Sequence, residues 1–446
     1  MVFVDSIIRK RAKKSPRPKS WRWVLILVLF LIFIVLCLLG TNYFLSKIKL
    51  FTLFKNGKFL VLFQNNSELR SSGGFIGSYA VLEIRDYEVK NLTFNTNIYA
   101  LDRAFAKENF VEPPEPLAKM LKGETWALRD ANYNASFPEA SQDILKFYHL
   151  ETGENIDGII ALNAKVMIDI LKITGPIKLP KYNLEITADN FYQKTQYQIE
   201  KAYFENPENW VLNEPKMILK DLYPEILKRA LNHKLALWQM LKNETNDGEI
   251  FFNFSDPLKQ NLVEKLHFAG KIPTDMELKD LFKIKSQADY LYINSNSFSG
   301  NKSSLSVGQA IDYQLTEDGS EMLRADLKIS RIHRGSYEWP DGKNTNWLRV
   351  FTPPTSQFLA AKLNDKDISS GIQVGTDSGK NYFGIEIVTE PGQANILEIS
   401  YLLPREDGYH LFVQKQPGEV RTSLKVNYEG KILFEGSLER NEAISK

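Results

Sequence analysis

The sequence predicts an α/β protein: a membrane-proximal, mixed-sheet α/β domain, then a C-terminal all-β immunoglobulin-like sandwich, behind one N-terminal transmembrane helix. Three observations carry this. An uncharged apolar run extends from Trp23 to Leu45. Short apolar strands alternate with helical periodicity up to about residue 300. From about Ser303 only short alternating strands parted by turns remain, as in a β-sandwich. The implied units are 1–22, a basic cytoplasmic tail; 23–45, the spanning helix; 46–300, the extracytoplasmic α/β domain; and 301–446, the sandwich.

The apolar run, as a helix rising ~1.5 Å per residue, reaches about 34 Å, enough for a hydrocarbon core of about 30 Å. Before it stand Arg9, Lys10, Arg11, Lys13, Lys14, Arg17, Lys19 and Arg22 against the single acid Asp5, a bias that keeps the N-terminus cytoplasmic. A cleaved signal peptide would have a shorter core and a small-x-small site, and Leu39 to Leu45 offers none. A buried core helix would show a polar face, which Val24 to Leu39 lacks. The expected location is therefore a single-pass cell-membrane protein with the bulk of its chain outside the cytoplasm.

Beyond the tail, 48 basic residues face 53 acidic ones, a net charge of −5. That balance argues against nucleic acid as a partner, because phosphate binding needs clustered positive charge. The only cysteine, Cys37, lies inside the apolar run. The rest must be stabilised by apolar packing, and a large exported chain without disulfides suggests a bacterial or archaeal surface.

Lys58 to Gln64 reads as a buried strand, followed by a polar, glycine-bearing loop. Phe75 to Ile84 and Glu88 to Phe94 form a hairpin around Arg85, Asp86 and Tyr87. Pro113, Pro114 and Pro116 stiffen a surface connection. A helix opens at Ser136 or Phe137 with Pro138 in its first turn; Gly158 to Leu162 is a strand and Ala164 to Lys172 a helix. Another helix, capped by Thr187, runs through Phe191 and Ile199. Residues 215 to 268 are mainly helical, with Pro224 kinking one helix and Asp256 capping another. Asp289 to Asn294 returns to strand, closing the α/β domain. The sandwich strands lie near Gln309 to Leu315, Leu323 to Ile332, Trp347 to Phe351, Phe383 to Val388, Leu397 to Leu403, His410 to Gln414 and Thr422 to Tyr428.

The densest polar cluster is Gln64 to Ser78, directly after a buried strand, where α/β folds place ligands. Gly73 and Gly74 let backbone amides approach an anion, Arg70 can grip phosphate or carboxylate with two hydrogen bonds, and Asn65 and Asn66 supply further polar contacts. The alternative is a Gly-Gly turn whose Asn and Ser side chains satisfy their own backbone. The second candidate is Leu128 to Asn134. Arg129 beside Asp130 offers an anion holder and a base or metal ligand together, with Asn132 nearby; the alternative is a surface pair of little energetic weight. His149, His233, His267, His333 and His410 show no metal-ligand spacing. With no exported cysteine and no Gly-x-Ser-x-Gly elbow, cysteine and serine hydrolases lack support.

The run Asn66 to Arg70 with Gly73 to Ser78, then Arg129 to Asn132, Ile156 to Ala161, Thr174 to Ile177, Thr187 to Asn190, Asn296 with Lys302, and Trp347 to Val350 before Pro353, resembles in order the bacterial membrane-anchored family called domain of unknown function 4012. Ser136 stands where that family usually has an acid before Phe-Pro. The order of anchor, strand, Arg-bearing loop, Arg-Asp pair, Ile-Asp-Gly strand and helix also looks like the LytR-CpsA-Psr ligases, which move glycopolymers from a polyprenyl-pyrophosphate carrier to the cell wall. That likeness implies Arg70 and Arg129 as pyrophosphate holders, Glu68 and Asp130 as metal ligands or base, Mg²⁺ as the ion, and a lipid-linked polyprenyl-pyrophosphate glycan or cell-wall component as partner, beside the bilayer that residues 23–45 already imply. Two readings follow: a phosphotransferase-like enzyme on lipid-linked pyrophosphate, or a non-enzymatic surface protein whose sandwich binds a glycan or another partner.

Overall fold

A computed structural model describes residues 52–319 and 321–446. The apolar run 23–45 lies outside them, and among the described residues no helix is long and apolar enough to cross a membrane.

The first unit is built on β1 (Gly57–Arg70), β2 (Gly73–Arg85), β3 (Glu88–Asn95) and β4 (Gly158–Asn163). After the two-strand ribbon β5 (Ile177–Leu179) and β6 (Leu184–Ile186), β7 (Ile250–Phe254) joins them in the order β3-β2-β1-β4-β7. β1 and β4 run parallel and the other neighbours antiparallel. Side chains of β1 alternate between faces as the pleat requires: Phe59 packs into one core and Leu60 into another.

Helices cover both faces. On one lie α1 (Ile98–Ala106), α2 (Glu115–Leu121) and α3 (Phe137–Thr152). On the other lie α4 (Ala164–Thr174), α5 (Phe191–Tyr197), α6 (Met217–Ala230), α7 (Lys234–Asn246) and α8 (Pro257–Lys265). The Asp256 carboxylate caps α8 through the amides of Leu258 and Lys259, as expected. Thr187 does not cap a helix directly: it and Asn190 exchange hydrogen bonds with each other's backbone amides, and α5 begins only at Phe191. A further helix, α9 (Asp275–Phe282), leads into the strand-rich region.

That region holds β8 (Asp289–Ser297), β9 (Val307–Asp318), β10 (Met322–His333), β11 (Asn344–Thr352), β12 (Gln357–Leu363), β13 (Lys366–Asp367) and β14 (Gln373–Asp377). It continues with β15 (Lys380–Thr389), β16 (Ala394–Pro404), β17 (His410–Gln414), β18 (Thr422–Tyr428), β19 (Lys431–Ser437) and β20 (Glu442–Ser445). They form sheets ordered β13-β12-β16-β10-β9-β18-β19 and β14-β15-β11-β8-β17-β20. One apolar core, including Leu291, Tyr313, Leu327, Leu348 and Leu411, draws on both. Two pairings, β9 with β18 and β8 with β17, are parallel. The strands outnumber the seven to nine of an immunoglobulin domain.

β8 departs from the sequence reading. Rather than closing the α/β sheet, it pairs with β11 and β17 in the second region, so sheet pairing crosses residue 300. The reason is burial on both faces: every residue from Asp289 to Ser297 is buried, which only an interior strand can satisfy.

Leu327 is 1% exposed in the centre of this core. Leu327→Ala should lower unfolding free energy by about 3 kcal/mol, measured by denaturant titration; a loss under about 1 kcal/mol would show that the two sheets do not share one packed interior.

Candidate functional site

The polar segment Gln64 to Ser78 is not a loop. β1 continues through it to Arg70, the chain reverses at Ser71 and Ser72, and β2 returns from Gly73. Cross-strand neighbours are Asn65 with Phe75, Leu69 with Gly74 and Arg70 with Gly73, with a bulge between Asn65 and Leu69. Gly74 is required here: a Cβ would lie 2.2 Å from the Asn65 carbonyl carbon. Its N–H is turned to the Asn163 carboxamide at 3.3 Å and its carbonyl accepts from Asn132 Nδ2 at 2.8 Å. The two glycines therefore serve a tight hairpin, not an anion nest.

Polar residues of this hairpin are buried because the strand-rich region receives them. Asn66 Nδ2 donates to the Gly418 carbonyl at 2.8 Å, and the Tyr192 hydroxyl donates to Asn66 Oδ1. Asn65 instead turns back on Ser67, accepting from its amide and hydroxyl. The Ser71 carbonyl accepts from Asn294 Nδ2 at 2.8 Å, and the Arg70 carbonyl from Gln416 Nε2 at 3.0 Å. Arg349 Nη2 reaches Ser71 Oγ at 3.3 Å while its Nη1 pairs with Asp377 at 2.8 Å.

Glu68, Arg70, Arg129 and Asp130 do converge, but on one another. Arg70 Nη2 lies 2.9 Å from Glu68 Oε1 and 3.1 Å from Asp130 Oδ1, and its Nη1 donates to the Ser297 carbonyl at 2.8 Å. Arg129 Nε holds the other Asp130 oxygen at 3.1 Å, and its Nη2 reaches Glu124 at 2.8 Å. The second Glu68 oxygen accepts from Lys302 Nζ. Arg70, Glu68 and Asp130 are only 2%, 5% and 3% exposed. Burial raises the Glu68 pKa, but Arg70 and Lys302 outweigh it and hold the carboxyl at about 2.

Every oxygen of Glu68 and Asp130 is thus taken by a cation. The donor set does not fit Mg²⁺, and among the described residues no three or more His, Cys, Asp or Glu side chains gather as a metal site. Nearby, burial and then the adjacent Glu151 push the Asp102 carboxyl up to about 8.

The accessible space lies beside this network. A cleft of about 220 Å³ opens at the carboxyl end of β4 beside the middle of β1, lined by Phe75, Tyr99, Tyr192, Glu200, Lys216 and Lys302. Through Phe63, Leu162, Met167 and Tyr223 it shares walls with a wholly apolar cavity of about 100 Å³ between the sheet and helices α4, α6 and α7. Lys216 Nζ donates to the Gly77 carbonyl at 2.5 Å and lies over the rings of Tyr99 and Phe75, 5.1 and 5.5 Å from their centroids. Among the described residues it has no ion pair, and burial, then Lys302, lowers its pKa to about 7. The residue-level reading missed Lys216, since a lysine after Pro215 in a polar helical stretch looks like surface charge; Lys302 entered only through the resemblance.

The fold defines a mixed α/β unit with an apolar cavity and a cationic cleft side by side, keyed by a hairpin into a strand-rich region. Residues 55–199 match the family described as "Protein of unknown function (DUF4012)", which supports that family for this stretch. No curated protein matches. Similar solved structures include a Legionella pneumophila protein described as nutrient binding, at 11% identity, covering 31% of this chain and 54% of the other, with TM-score 0.23. The M1 zinc metallopeptidase of Deinococcus radiodurans is similar at 11% identity over 31% and 38%, TM-score 0.18. Leukotriene A4 hydrolase from Saccharomyces cerevisiae is similar at 4% over 32% and 27%, TM-score 0.18. The chain spans about half or less of these proteins, and likeness at this level says nothing of its activity.

Arg70→Ala leaves Glu68 and Asp130 buried with less compensation and should destabilise the protein by about 3 to 5 kcal/mol; an unchanged melting temperature would mean the network is not structural. Because the folded Glu68 pKa lies below the unfolded value, its contribution is present above about pH 4 and lost as pH falls through about 2. Acid unfolding of Glu68→Gln should accordingly be less steep than wild type in that window.

Proposed function

We propose that this protein binds an amphiphile with an anionic head and an apolar tail, of the polyprenyl-phosphate class that carries glycans at cell envelopes. One observation carries the reading: a wholly apolar cavity beneath the sheet shares the walls Phe63, Leu162, Met167 and Tyr223 with a cleft whose mouth bears Lys216 and Lys302. A dry cavity suits hydrocarbon, and ammonium groups in an aromatic, partly desolvated mouth suit phosphate. The apolar run 23–45, read as a membrane anchor, would keep this mouth near such lipids. In the proposal Glu68, Arg70, Arg129 and Asp130 are positioning residues, fixing Lys302 from behind. Binding, more than transfer, is the favoured role, because the groups expected to act on pyrophosphate are spent on each other.

The test is undecaprenyl phosphate binding by the full-length protein. Lys216→Ala should weaken binding about 10- to 100-fold, the value of one charge-assisted hydrogen bond. Met167→Trp, which fills the shared wall, should exclude the long chain while isopentenyl phosphate still binds. Equal affinity for uncharged undecaprenol, or no change in either variant while its melting temperature stays near wild type, would sink the proposal. Since an anionic head favours the protonated amine, affinity should also fall as pH rises above about 7, and Lys216→Arg should flatten that profile.

A further inference from the structure

A second, larger cleft of about 610 Å³ lies where the two regions meet, between the start of α4, the start of β7 and the neighbouring ends of β9, β10 and β18. Its lining mixes charged and hydroxyl side chains with the aliphatic Ile332, Val420 and Leu438 and contains no aromatic ring, so a nucleobase has no surface to stack on.

Lys165, Asp247, Glu249, Lys415 and Glu419 all line it, and among the described residues the side chains of all but Asp247 have partners. Lys415 Nζ pairs with Glu249 at 2.8 Å in a buried contact. Lys165 is held by Asp169 and Glu244. Glu419 Oε1 accepts the backbone N–H groups of Val420 and Arg421, both at 3.0 Å.

Two arginines are different. Arg334, just past β10, and Arg421, just before β18, line the cleft, and neither guanidinium has a hydrogen-bond or ion-pair partner among the described residues. Their backbones are tied to the same floor: the Gln309 amide donates to the Arg421 carbonyl at 2.8 Å and the Arg334 amide to the Ser306 carbonyl at 2.8 Å. Gly308 leaves room for the first guanidinium, since a Cβ there would sit 3.2 Å from Arg334 Nη1. Beside them Thr422 is 8% exposed and its hydroxyl oxygen is buried without a partner. At the rim stands the exposed acid Glu439.

We infer that this junction cleft is a binding site for a carboxylate-bearing oligosaccharide. Free guanidinium forks match carboxylates with two parallel hydrogen bonds. Hydroxyls and backbone groups around them suit sugar hydroxyls, and the volume falls within the range of sites for small ligands. Ala164 lines the lysine cleft and Lys165 the junction cleft, so the start of α4 separates the two. The inference stands without the lipid reading.

The test titrates trigalacturonate, maltotriose and inorganic phosphate into the full-length protein by calorimetry. Trigalacturonate should bind at least tenfold more tightly than maltotriose and than phosphate, and Arg334→Ala/Arg421→Ala should weaken it at least tenfold. Both side chains are exposed, so the double variant should melt with the wild type. Lys216→Ala should leave this binding intact, even where it weakens lipid binding. Equal affinity for maltotriose or phosphate, no binding of trigalacturonate, or an unaffected double variant would each overturn the inference.

Discussion

The rest of the structure depends on the burial of one guanidinium. Arg70 sits at the tip of the first hairpin, between two carboxylates of its own unit and a backbone carbonyl of the other. A charge taken this far from water is tolerable only where its partners are fixed. The Ser297 carbonyl, the Gln416 carboxamide and the Asn294 carboxamide, all from the strand-rich region, enclose the hairpin's end. The two regions are therefore joined through polar contacts of defined geometry, with a small apolar cluster, including Tyr290, Tyr292 and Phe351, beside them.

This constraint decides what the cleft can be. Lys302 is held by Glu68, which is held by Arg70, which is held by Asp130. Beyond Asp130 the chain of charges continues through Arg129 to the exposed Glu124, so its buried middle, Glu68, Arg70 and Asp130, sets the position of Lys302 at the cleft. Lys216 lies outside the chain, hydrogen-bonded to a neutral carbonyl and packed on aromatic faces. Its charge, unlike that of Lys302, is therefore not fixed by an acidic partner.

Much of the first unit was legible because its periodicities are local. The apolar run Phe59 to Phe63, the Asp86-Tyr87 turn and the Asp256-Pro257 start depend on neighbours within a few residues, and they are found where expected. Local signal failed where long-range contact overrides it. Gln64 to Arg70 has loop composition but is strand, because it pairs with β2 and several of its polar groups are met by Ser304, Ser297 and Gln416, each more than 200 residues away. The strands β12, β14, β19 and β20 escaped notice because they lie at or near sheet edges and are largely exposed on both faces, which leaves little alternation to read. Glu68, Arg70, Arg129 and Asp130 lie together, but on one another; that mutual neutralisation, set by distances between separate segments, has no trace in spacing.

The hairpin's distant partners also bear on how the chain is made. Gln416 follows Arg70 by 346 residues, which at ordinary rates of synthesis is roughly 20 to 70 seconds. During that interval the first sheet can form, since its strands are complete by Phe254, while the hairpin tip waits in water. Glu68, Arg70 and the flanking serines and asparagines are well suited to that wait. A tip of leucines would bury as well at the end, but until then it would present a sticky strand edge to every other nascent chain.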